Sequence, residues 1–385
     1  MKFLVVSSAP TFFKSKIYSA YAPYVNEMDI WFSKVEEIAI LSPGIYPNTV
    51  FTKAFENQNL KFYKIPFLNF KSVVISIKSL LLLPFVIRKM ILAFLWADHI
   101  HLRCPGNLSL IGCIVQVFFP NKKKTVKYAG NWDLQSKQPW SYRLQKWIVS
   151  NSFLSKNIKV LVYGEWKDES KNILPFFTAS FSELELEVSK AVFNKVFKFI
   201  FVGTLSEGKR PLFAIQLVES LLKKNTPVNL EIFGAGPMED DLIEYITRKN
   251  LHRFVKLMGN RSLQELKKVY QSANFLILAS KSEGWPKAIA EAMYFGCIPI
   301  ATSVSCIPWM LNHGKRGILI AESPQDFVKT DKYDGREKML EDCLNNITQL
   351  MENPKEMQQK SLAAQNWSRQ YTLEKFELAI CNLIN

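Results

Sequence analysis

The sequence predicts an α/β protein made of two doubly wound domains, each a parallel sheet covered by helices on both faces. The chain has 385 residues, of which 48% are hydrophobic and 22% charged, and this length exceeds one ordinary core. In both halves, short apolar runs of strand length alternate with longer segments of helical period. Such alternation is typical of parallel sheets whose connections are helices.

The first half begins with a predicted strand and keeps this alternation. Its predicted strands are Lys2–Ser7, Ile38–Leu41, Phe62–Ile65, His99–Arg103, Thr125–Ala129 and Val160–Tyr163. Helical patterns occupy Leu108–Phe119 and Tyr142–Val149. Together these elements predict the first Rossmann-like domain.

The apolar segment Ser72–Ala97 lies between the third and fourth predicted strands. It is interrupted by Lys78, Pro84, Arg88 and Lys89, so it does not form an uncharged membrane-spanning run. Apolar residues cover nearly the whole circumference of the helix, whereas an interfacial anchor has one polar face. We therefore favour a buried crossover helix, bent at Pro84, over a segment that touches a membrane.

The second half repeats the pattern. Its predicted strands are Phe197–Val202, Asn229–Phe233, Val255–Met258, Phe275–Leu278, Ile298–Ala301 and Gly317–Ile320. Its predicted helices are Leu212–Leu222, Leu263–Tyr270, Lys338–Met351, Lys355–Gln365 and Leu373–Leu383. Ser262 and Glu265 form a capping-box pattern at the start of one of them. These elements predict a second Rossmann-like domain that ends in helices.

The polar, acidic segment Ser180–Lys190 marks the predicted domain boundary. We expect an acceptor-binding domain over residues 1–190 and a donor-binding domain over 191–365. The last helix, within 366–385, is expected to pack back on the first domain. A cleft between the two domains is expected to hold the ligands, because pockets commonly lie at such places.

The distribution of charge and the cysteine content limit the classes of function that fit this sequence. Residues 1–195 contain 25 Lys and Arg against 13 Asp and Glu, or +12, which leaves +3 of the total +15 for the remainder. A basic first domain favours an anionic partner. The six cysteines form no C-x-x-C pair and only four histidines are present, so no metal site is predicted. The apolar run Phe3–Val6 is too short for a signal peptide, and we expect a cytoplasmic protein.

The first two strand-to-helix junctions of the second half each contain two glycines. The segment from Gly203 to Pro211 combines a glycine at the strand end, two cations and a proline at a helix start, which fits a diphosphate clamp. A solvated basic turn explains it equally well. The next junction contains Gly234 and Gly236, but Glu239 stands where a dinucleotide fingerprint needs glycine, so this pair predicts a tight turn.

The third junction is the most informative. Glu283 follows a strand, Gly284 permits close approach of the backbone to a ligand, and Pro286 suits a helix start. Glu291 flanks the apolar stripe of the helix that follows, so it can point towards a ligand at the sheet edge. The alternative is an exposed Glu291 that pairs with Lys287 four residues earlier, in the weaker order of the two charges.

The motif S-x-x-E-G-x-P-x-A-x-x-E-A-M, with F-V-G-x-L-x-x-x-K and G-A-G-P before it, resembles the donor-binding domain of a known family. That family is the retaining GT-B glycosyltransferases of the group 1, or family 4, class. The resemblance covers about residues 196–325. It implies a GT-B fold and a hexosyl or other glycosyl transfer from a nucleotide-diphosphate sugar, without metal or cofactor.

The resemblance also implies roles for individual residues. Glu283 would contact hydroxyls of the donor sugar and Lys209 would neutralise the diphosphate leaving group, so both are assigned as catalytic. Glu291 would bind the ribose hydroxyls. The remaining donor-binding residues would be Gly203, Thr204, Arg210, Gly234, Gly284, Trp285, Lys287 and Ala288. Preorganised donors aimed at developing charge are usually the largest catalytic contribution.

Two positions depart from the family pattern. Thr204 replaces the usual arginine of the first loop, and we expect Arg210 to take over its charge. The family's first-domain histidine is also absent, and Asn131 or Asp133 is expected to line the site in its place. Lys14 and Lys16 are further candidates on the acceptor side.

The expected partners follow from the resemblance and from the charge. They are a UDP- or GDP-sugar donor, a glycan or lipid-linked acceptor of polysaccharide or lipopolysaccharide assembly, and an anionic membrane touched peripherally at its inner face. Nucleic acid is not expected, since no recognisable nucleic-acid-binding module is present. Two alternatives stay open. The first is a nucleotide-sugar epimerase of the same fold, which would use carboxylate and histidine groups of the first domain. The second is a basic nucleic-acid-binding protein, which the pI of about 9.4 and the run Lys122–Lys124 favour.

Overall fold

A computed structural model describes residues 1–45, 52–70, 72–167, 169–185, 196–321 and 334–384. The chain forms two compact units, one comprising Met1–Phe177 and Phe376–Asn385, the other Thr178–Lys375. The described part of the predicted boundary segment, Ser180–Glu185, belongs to the second unit. The Ser180 hydroxyl donates to Glu291 and the Phe181 ring packs against Phe295, so this stretch is held against other residues of the second unit.

The described residues of the first unit form ten strands. They are β1 (Lys2–Val6), β2 (Phe12–Lys14), β3 (Ile17–Tyr21), β4 (Glu37–Pro43), β5 (Thr52–Ala54), β6 (Leu60–Ile65), β7 (His99–Cys104), β8 (Lys123–Tyr128), β9 (Ile158–Tyr163) and β10 (Ile173–Phe176). Seven form a parallel sheet in the order β10-β9-β8-β7-β1-β4-β6, while β2, β3 and β5 form a small antiparallel sheet. The predicted doubly wound architecture is confirmed, and the small sheet is an addition to it.

Four helices of the first unit lie between its strands: α1 (Ala22–Phe32), α2 (Val73–Trp96), α3 (Asn107–Val115) and α4 (Trp140–Ser150). Helix α2 corrects the prediction of a buried crossover helix. One stripe is buried against the sheet, including Val86, Met90 and Phe94, but Val74 and Leu81 are 78% and 77% exposed. Apolarity around the whole helix therefore does not reflect burial on all sides.

Helix α2 is also long and apolar enough, by length and composition alone, to cross a membrane, and it is the one helix of that kind among the described residues.

The second unit is a six-stranded parallel sheet with helices. Its strands are β11 (Phe197–Val202), β12 (Val228–Phe233), β13 (Val255–Gly259), β14 (Phe275–Leu278), β15 (Ile298–Thr302) and β16 (Ile318–Ile320). They are arranged in the order β13-β12-β11-β14-β15-β16. The strand order reverses between β11 and β14, and such a switch point opens a crevice at the carboxyl ends of the strands.

The helices of the second unit are α5 (Pro211–Lys223), α6 (Glu239–Arg248), α7 (Leu263–Ser272), α8 (Lys287–Tyr294), α9 (Ile307–Met310), α10 (Asp334–Met351) and α11 (Pro354–Ser368). The final helix, α12 (Leu373–Ile384), belongs from Phe376 onwards to the first unit. The capping box predicted at Ser262 is present, with Glu265 as its partner. The Phe376 ring packs against Phe176 and Phe177 of the first unit, which fixes α12 there.

Candidate functional site

Two loops of the second unit meet at the switch point. The first follows β11 and contains Gly203 to Arg210; the second follows β14 and contains Ala279 to Pro286. Because β11 and β14 are hydrogen-bonded neighbours, both loops leave the same edge of the sheet side by side. The backbone N–H of Lys281 donates to the carbonyl oxygen of Gly208 at 2.8 Å, and this bond joins the two loops directly.

Lys209 and Glu283 form an ion pair between these loops. The Lys209 Nζ donates to Glu283 Oε1 at 2.5 Å, with the lysine side chain 31% exposed and the carboxylate 7% exposed. The lysine lies in a turn in which its own N–H and that of Arg210 both donate to the Ser206 carbonyl. The two residues assigned as catalytic are therefore in contact, with the cation on the more open side.

Arg210 lies at the entrance to α5. Its backbone has φ 51° and ψ 51°, a left-handed conformation uncommon for non-glycine residues, and Pro211 follows at the first helical position. The conformation ends the turn and starts the helix within one residue. Thr204, the residue that departs from the family pattern, is exposed at the beginning of the same loop.

The glycines of the first two junctions contact each other. The N–H of Gly203 donates to the Phe233 carbonyl, and that of Leu205 donates to the carbonyl of Ala235. Gly234 has φ 142°, and a Cβ there would stand 1.9 Å from the Gly203 carbonyl oxygen. Gly234 is needed because the loops after β11 and β12 approach at backbone distance, so it positions the first loop.

The loop after β14 is held from below by neighbouring elements. The Thr302 hydroxyl donates to the Ser280 carbonyl and the Cys306 thiol donates to that of Gly284. Burial raises the pKa of the Cys306 thiol to about 12, which keeps it protonated as a donor. Trp285 is 7% exposed, and its ring packs in a cluster with Trp309, Trp367 and Tyr371. Its side chain anchors the loop.

Helix α8 begins directly behind this loop. The N–H groups of Ile289 and Ala290 donate to the Pro286 carbonyl, whereas Lys287 and Ala288 occupy the first positions, where N–H groups have no partner within the helix. The N-terminus of a helix attracts anions through these groups and the helix dipole. Gly284, Lys287 and Ala288 thus surround a place suited to a phosphate.

Glu291 lies one turn further along α8. Its side chain is buried, and its two carboxylate oxygens accept from the Ser180 hydroxyl at 2.6 Å and from the Tyr270 hydroxyl at 2.9 Å. The pairing with Lys287 considered from the sequence is wrong, because Lys287 is exposed and Glu291 is engaged elsewhere. Burial, and then the Glu291 charge, raise the pKa of Tyr270 well above its usual value, so its hydroxyl remains a donor.

The four residues proposed for the acceptor side lie in two separate segments of the first unit. Lys14 and Lys16 are at the tip of the β2–β3 hairpin, where Ser15 and Lys16 have positive φ. The Asn131 carboxamide accepts from the N–H of Asp133, whose carboxylate accepts from the N–H of Gln135. The side chains of Asn131 and Asp133 therefore stabilise the loop after β8.

Sequence reasoning missed a buried charge cluster in the first unit. Glu27 of α1 accepts from Arg103 at the end of β7 and lies 2.9 Å from the Lys127 amine of β8. Burial would raise the pKa of Glu27, but the two cations hold it well below its usual value. Arg103 and Lys127 end adjacent parallel strands, a signal available once the strands are placed, whereas nothing in the sequence links Glu27 to them.

No three His, Cys, Asp or Glu side chains within the described ranges lie close enough together to hold a metal ion.

The known family that matches this chain covers part of the second unit and does not reach the first. Residues 184–332 match the family model described as glycosyl transferases group 1. This segment is therefore similar to the group 1 glycosyltransferases. It contains both loops at the switch point and both motif glutamates, as the sequence resemblance predicted.

Curated relatives match about a third of the chain. The putative colanic acid biosynthesis glycosyltransferase WcaL of Salmonella typhimurium is 30% identical over 132 residues, 33% of this chain and 32% of its own length. The GDP-mannose:cellobiosyl-diphosphopolyprenol alpha-mannosyltransferase of Xanthomonas oryzae pv. oryzae is 27% identical over 123 residues, 31% of this chain and 32% of its own. The chain thus spans about a third of the length of these relatives.

The fold extends over the whole chain. The crystal structure of Anabaena Alr3699/HepE in complex with UDP and glucose has a TM-score of 0.63 and 16% identity, covering 100% of this chain and 99% of that one. The first unit, which the family model does not reach, is therefore the other Rossmann-like domain of a GT-B fold.

Proposed function

We propose that the protein is a retaining, metal-independent glycosyltransferase that moves a sugar from a UDP- or GDP-sugar to a glycan or lipid-linked acceptor. The observation that carries the proposal is the Lys209–Glu283 ion pair at the switch point, beside the N-terminus of α8. A cation, a carboxylate and free N–H groups at one sheet edge match the phosphates and hydroxyls of a nucleotide sugar.

The reaction breaks the bond between the sugar's anomeric carbon and the diphosphate oxygen, and the electron pair leaves with the diphosphate. The Lys209 amine and the first N–H groups of α8 stabilise that charge, which removes the need for a divalent ion. The acceptor hydroxyl forms the new bond and gives its proton to a donor phosphate oxygen. Glu283, released from Lys209 when the amine turns to the diphosphate, binds sugar hydroxyls.

Glu291 is assigned to the ribose. Each carboxylate oxygen has capacity for a further hydrogen bond beyond those from Ser180 and Tyr270. The two protein donors fix the plane of the carboxylate, so it presents an oriented acceptor to the ribose hydroxyls. Such orientation lowers the entropic cost of binding.

The acceptor is assigned to the basic first unit, at the inner face of the cell membrane. The names of two relatives support a role in cell-surface polysaccharide assembly: one concerns colanic acid biosynthesis, the other a diphosphopolyprenol acceptor. The epimerase alternative loses support in the structure. His99 and His101, the histidines of the first unit, are 1% and 0% exposed and share the Thr125 hydroxyl, so neither can serve as its acid or base.

The test is thermal unfolding with UDP, GDP, ADP and their sugar conjugates, each with and without EDTA. A nucleotide at a hundredfold excess over its Kd should stabilise the protein by about 2.7 kcal/mol, and EDTA should not alter the shift. Glu291→Gln should lose most of it, whereas Glu244→Gln, an exposed glutamate on α6, should keep it. A folded protein that no nucleotide stabilises would refute the proposal.

A further inference from the structure

The face of α2 that points away from the sheet, here termed the outer face, is apolar except for Arg88. Its exposed side chains are Val73, Val74, Ile77, Leu81, Ile91, Leu92 and Leu95. The opposite stripe recurs every three or four residues and packs in the core of the first unit. An apolar strip along a helix of 24 residues is longer than the scattered patches of ordinary soluble surfaces, and such strips mark interaction sites.

The charged residues around the outer face indicate which kind of partner it binds. Between Leu60 and Ala97 the sequence has five lysines and one arginine but no Asp or Glu. Lys78 and Arg88 are exposed on α2 itself, and the Lys89 amine lies over the Phe85 ring. A second copy of this chain would bring like charges together, whereas a surface of anionic lipid headgroups would neutralise them.

We propose that the outer face of α2 docks on an anionic lipid bilayer, with the helix axis parallel to the membrane plane. The apolar side chains enter the boundary between headgroups and acyl chains, and Lys78 and Arg88 meet the headgroup charges. Val86, Met90 and Phe94 remain on the sheet, because a spanning orientation would remove them from the core. Phe67 and Phe70, each about two-fifths exposed, continue the apolar surface before α2.

The proposed function also places the protein at a membrane, but this inference does not depend on sugar transfer. It is tested with the full-length protein and vesicles of equimolar phosphatidylcholine and phosphatidylglycerol, with vesicles of phosphatidylcholine alone for comparison. Co-sedimentation should be strong with the mixed vesicles, weaker with the neutral ones, and reduced by salt. Leu81→Gln/Leu92→Gln should lower the partition coefficient about tenfold or more.

The matched control is Leu362→Gln/Leu378→Gln, which changes two leucines of similar exposure outside α2 and should bind vesicles like the wild type. Lys78→Gln/Arg88→Gln should bind mixed vesicles about tenfold less tightly and neutral ones unchanged. Circular dichroism verifies that each variant is folded, which is expected since all the changed side chains are exposed.

Four results would overturn the inference: unchanged binding of the outer-face variant, an equal loss in the control, retention in the vesicles after alkaline carbonate, or a soluble dimer that Leu81→Gln/Leu92→Gln converts to monomer. The third indicates a spanning helix and the fourth a second copy on this face. Glu291→Gln should bind vesicles normally. If the protein binds vesicles but no nucleotide, the proposed function is refuted and this inference is retained.

Discussion

At the scale of single residues, the proposed function makes two groups compete for the Lys209 amine: the Glu283 carboxylate and the diphosphate of the donor. Lys209 neutralises the buried carboxylate of Glu283. A diphosphate with two or more negative charges offers Lys209 a stronger partner than a single carboxylate. Under the proposed function, donor binding therefore rearranges this pair.

We expect Lys209→Met to lower kcat about 10²- to 10³-fold, because the leaving diphosphate loses its cation. Lys281→Met, which removes an exposed lysine of the adjoining loop, should leave kcat near the wild-type value. Steady-state kinetics with the donor identified by thermal unfolding provides the measurement.

Since Lys209→Met also leaves Glu283 without its counter-charge, Lys209→Met/Glu283→Gln should recover stability without recovering kcat. Wild-type kcat in folded Lys209→Met would exclude the amine from catalysis.

At the scale of elements, the ends of four strands, β11 to β14, form one interlocked unit. The loop after β11 bonds to the loop after β12 through Gly203 and Leu205, and the N–H of Gly234 donates to Gly259 at the end of β13. The loop after β14 joins them at Gly208. Rigidity of the candidate site therefore comes from backbone bonds between loops.

Gly234→Ala should destabilise the protein by about 3 kcal/mol or more, because the new Cβ collides with the Gly203 carbonyl and φ is unfavourable. Gly259→Ala is the control: its φ is also positive, but nothing lies within 4 Å of the added Cβ, so about 1 kcal/mol is expected. Urea unfolding of both variants compares them. Equal costs would mean that backbone conformation, and not loop contact, requires glycine at position 234.

The sequence predicted both sheets because strand and helix periods differ clearly, and it placed Glu283, Glu291 and Lys209 through their spacing. It could not predict the hairpin of β2 and β3, whose turn of Ser15 and Lys16 lacks glycine. It misjudged α2 because hydrophobicity reports affinity for an apolar environment and does not say whether protein or lipid provides it. Ser180 could not be assigned to Glu291, 111 residues away, from a local pattern.

At the scale of the whole molecule, two buried histidines connect stability to pH. Burial, with Lys123 and Lys159 nearby, lowers the pKa of His99 to about 4, and burial lowers that of His101 well below its usual value. Both stay neutral in the folded protein, while the unfolded chain binds a proton at each below about pH 6.5. The unfolded state gains stability as the pH falls through this range.

We therefore expect His99 to reduce the free energy of unfolding by about 2 kcal/mol between pH 7 and pH 5, and to have no effect above pH 7. His99→Asn should flatten this part of the pH dependence, although it is less stable at pH 7 through lost packing. His252→Asn, at an exposed position, should retain the wild-type slope. Urea midpoints measured across the pH range give the slopes, and identical slopes for all three proteins would contradict the assignment.

The interlocked loops also limit how this protein can evolve. An insertion or deletion between Gly203 and Leu205, or between Gly234 and Ala235, would shift the register of bonds that join the two loops. Loop length is therefore under stronger constraint than side-chain identity here, and exposed positions such as Thr204 are free to change without altering the bonds between the loops. In descendants of this chain, we expect the loop lengths to persist while the exposed side chains change.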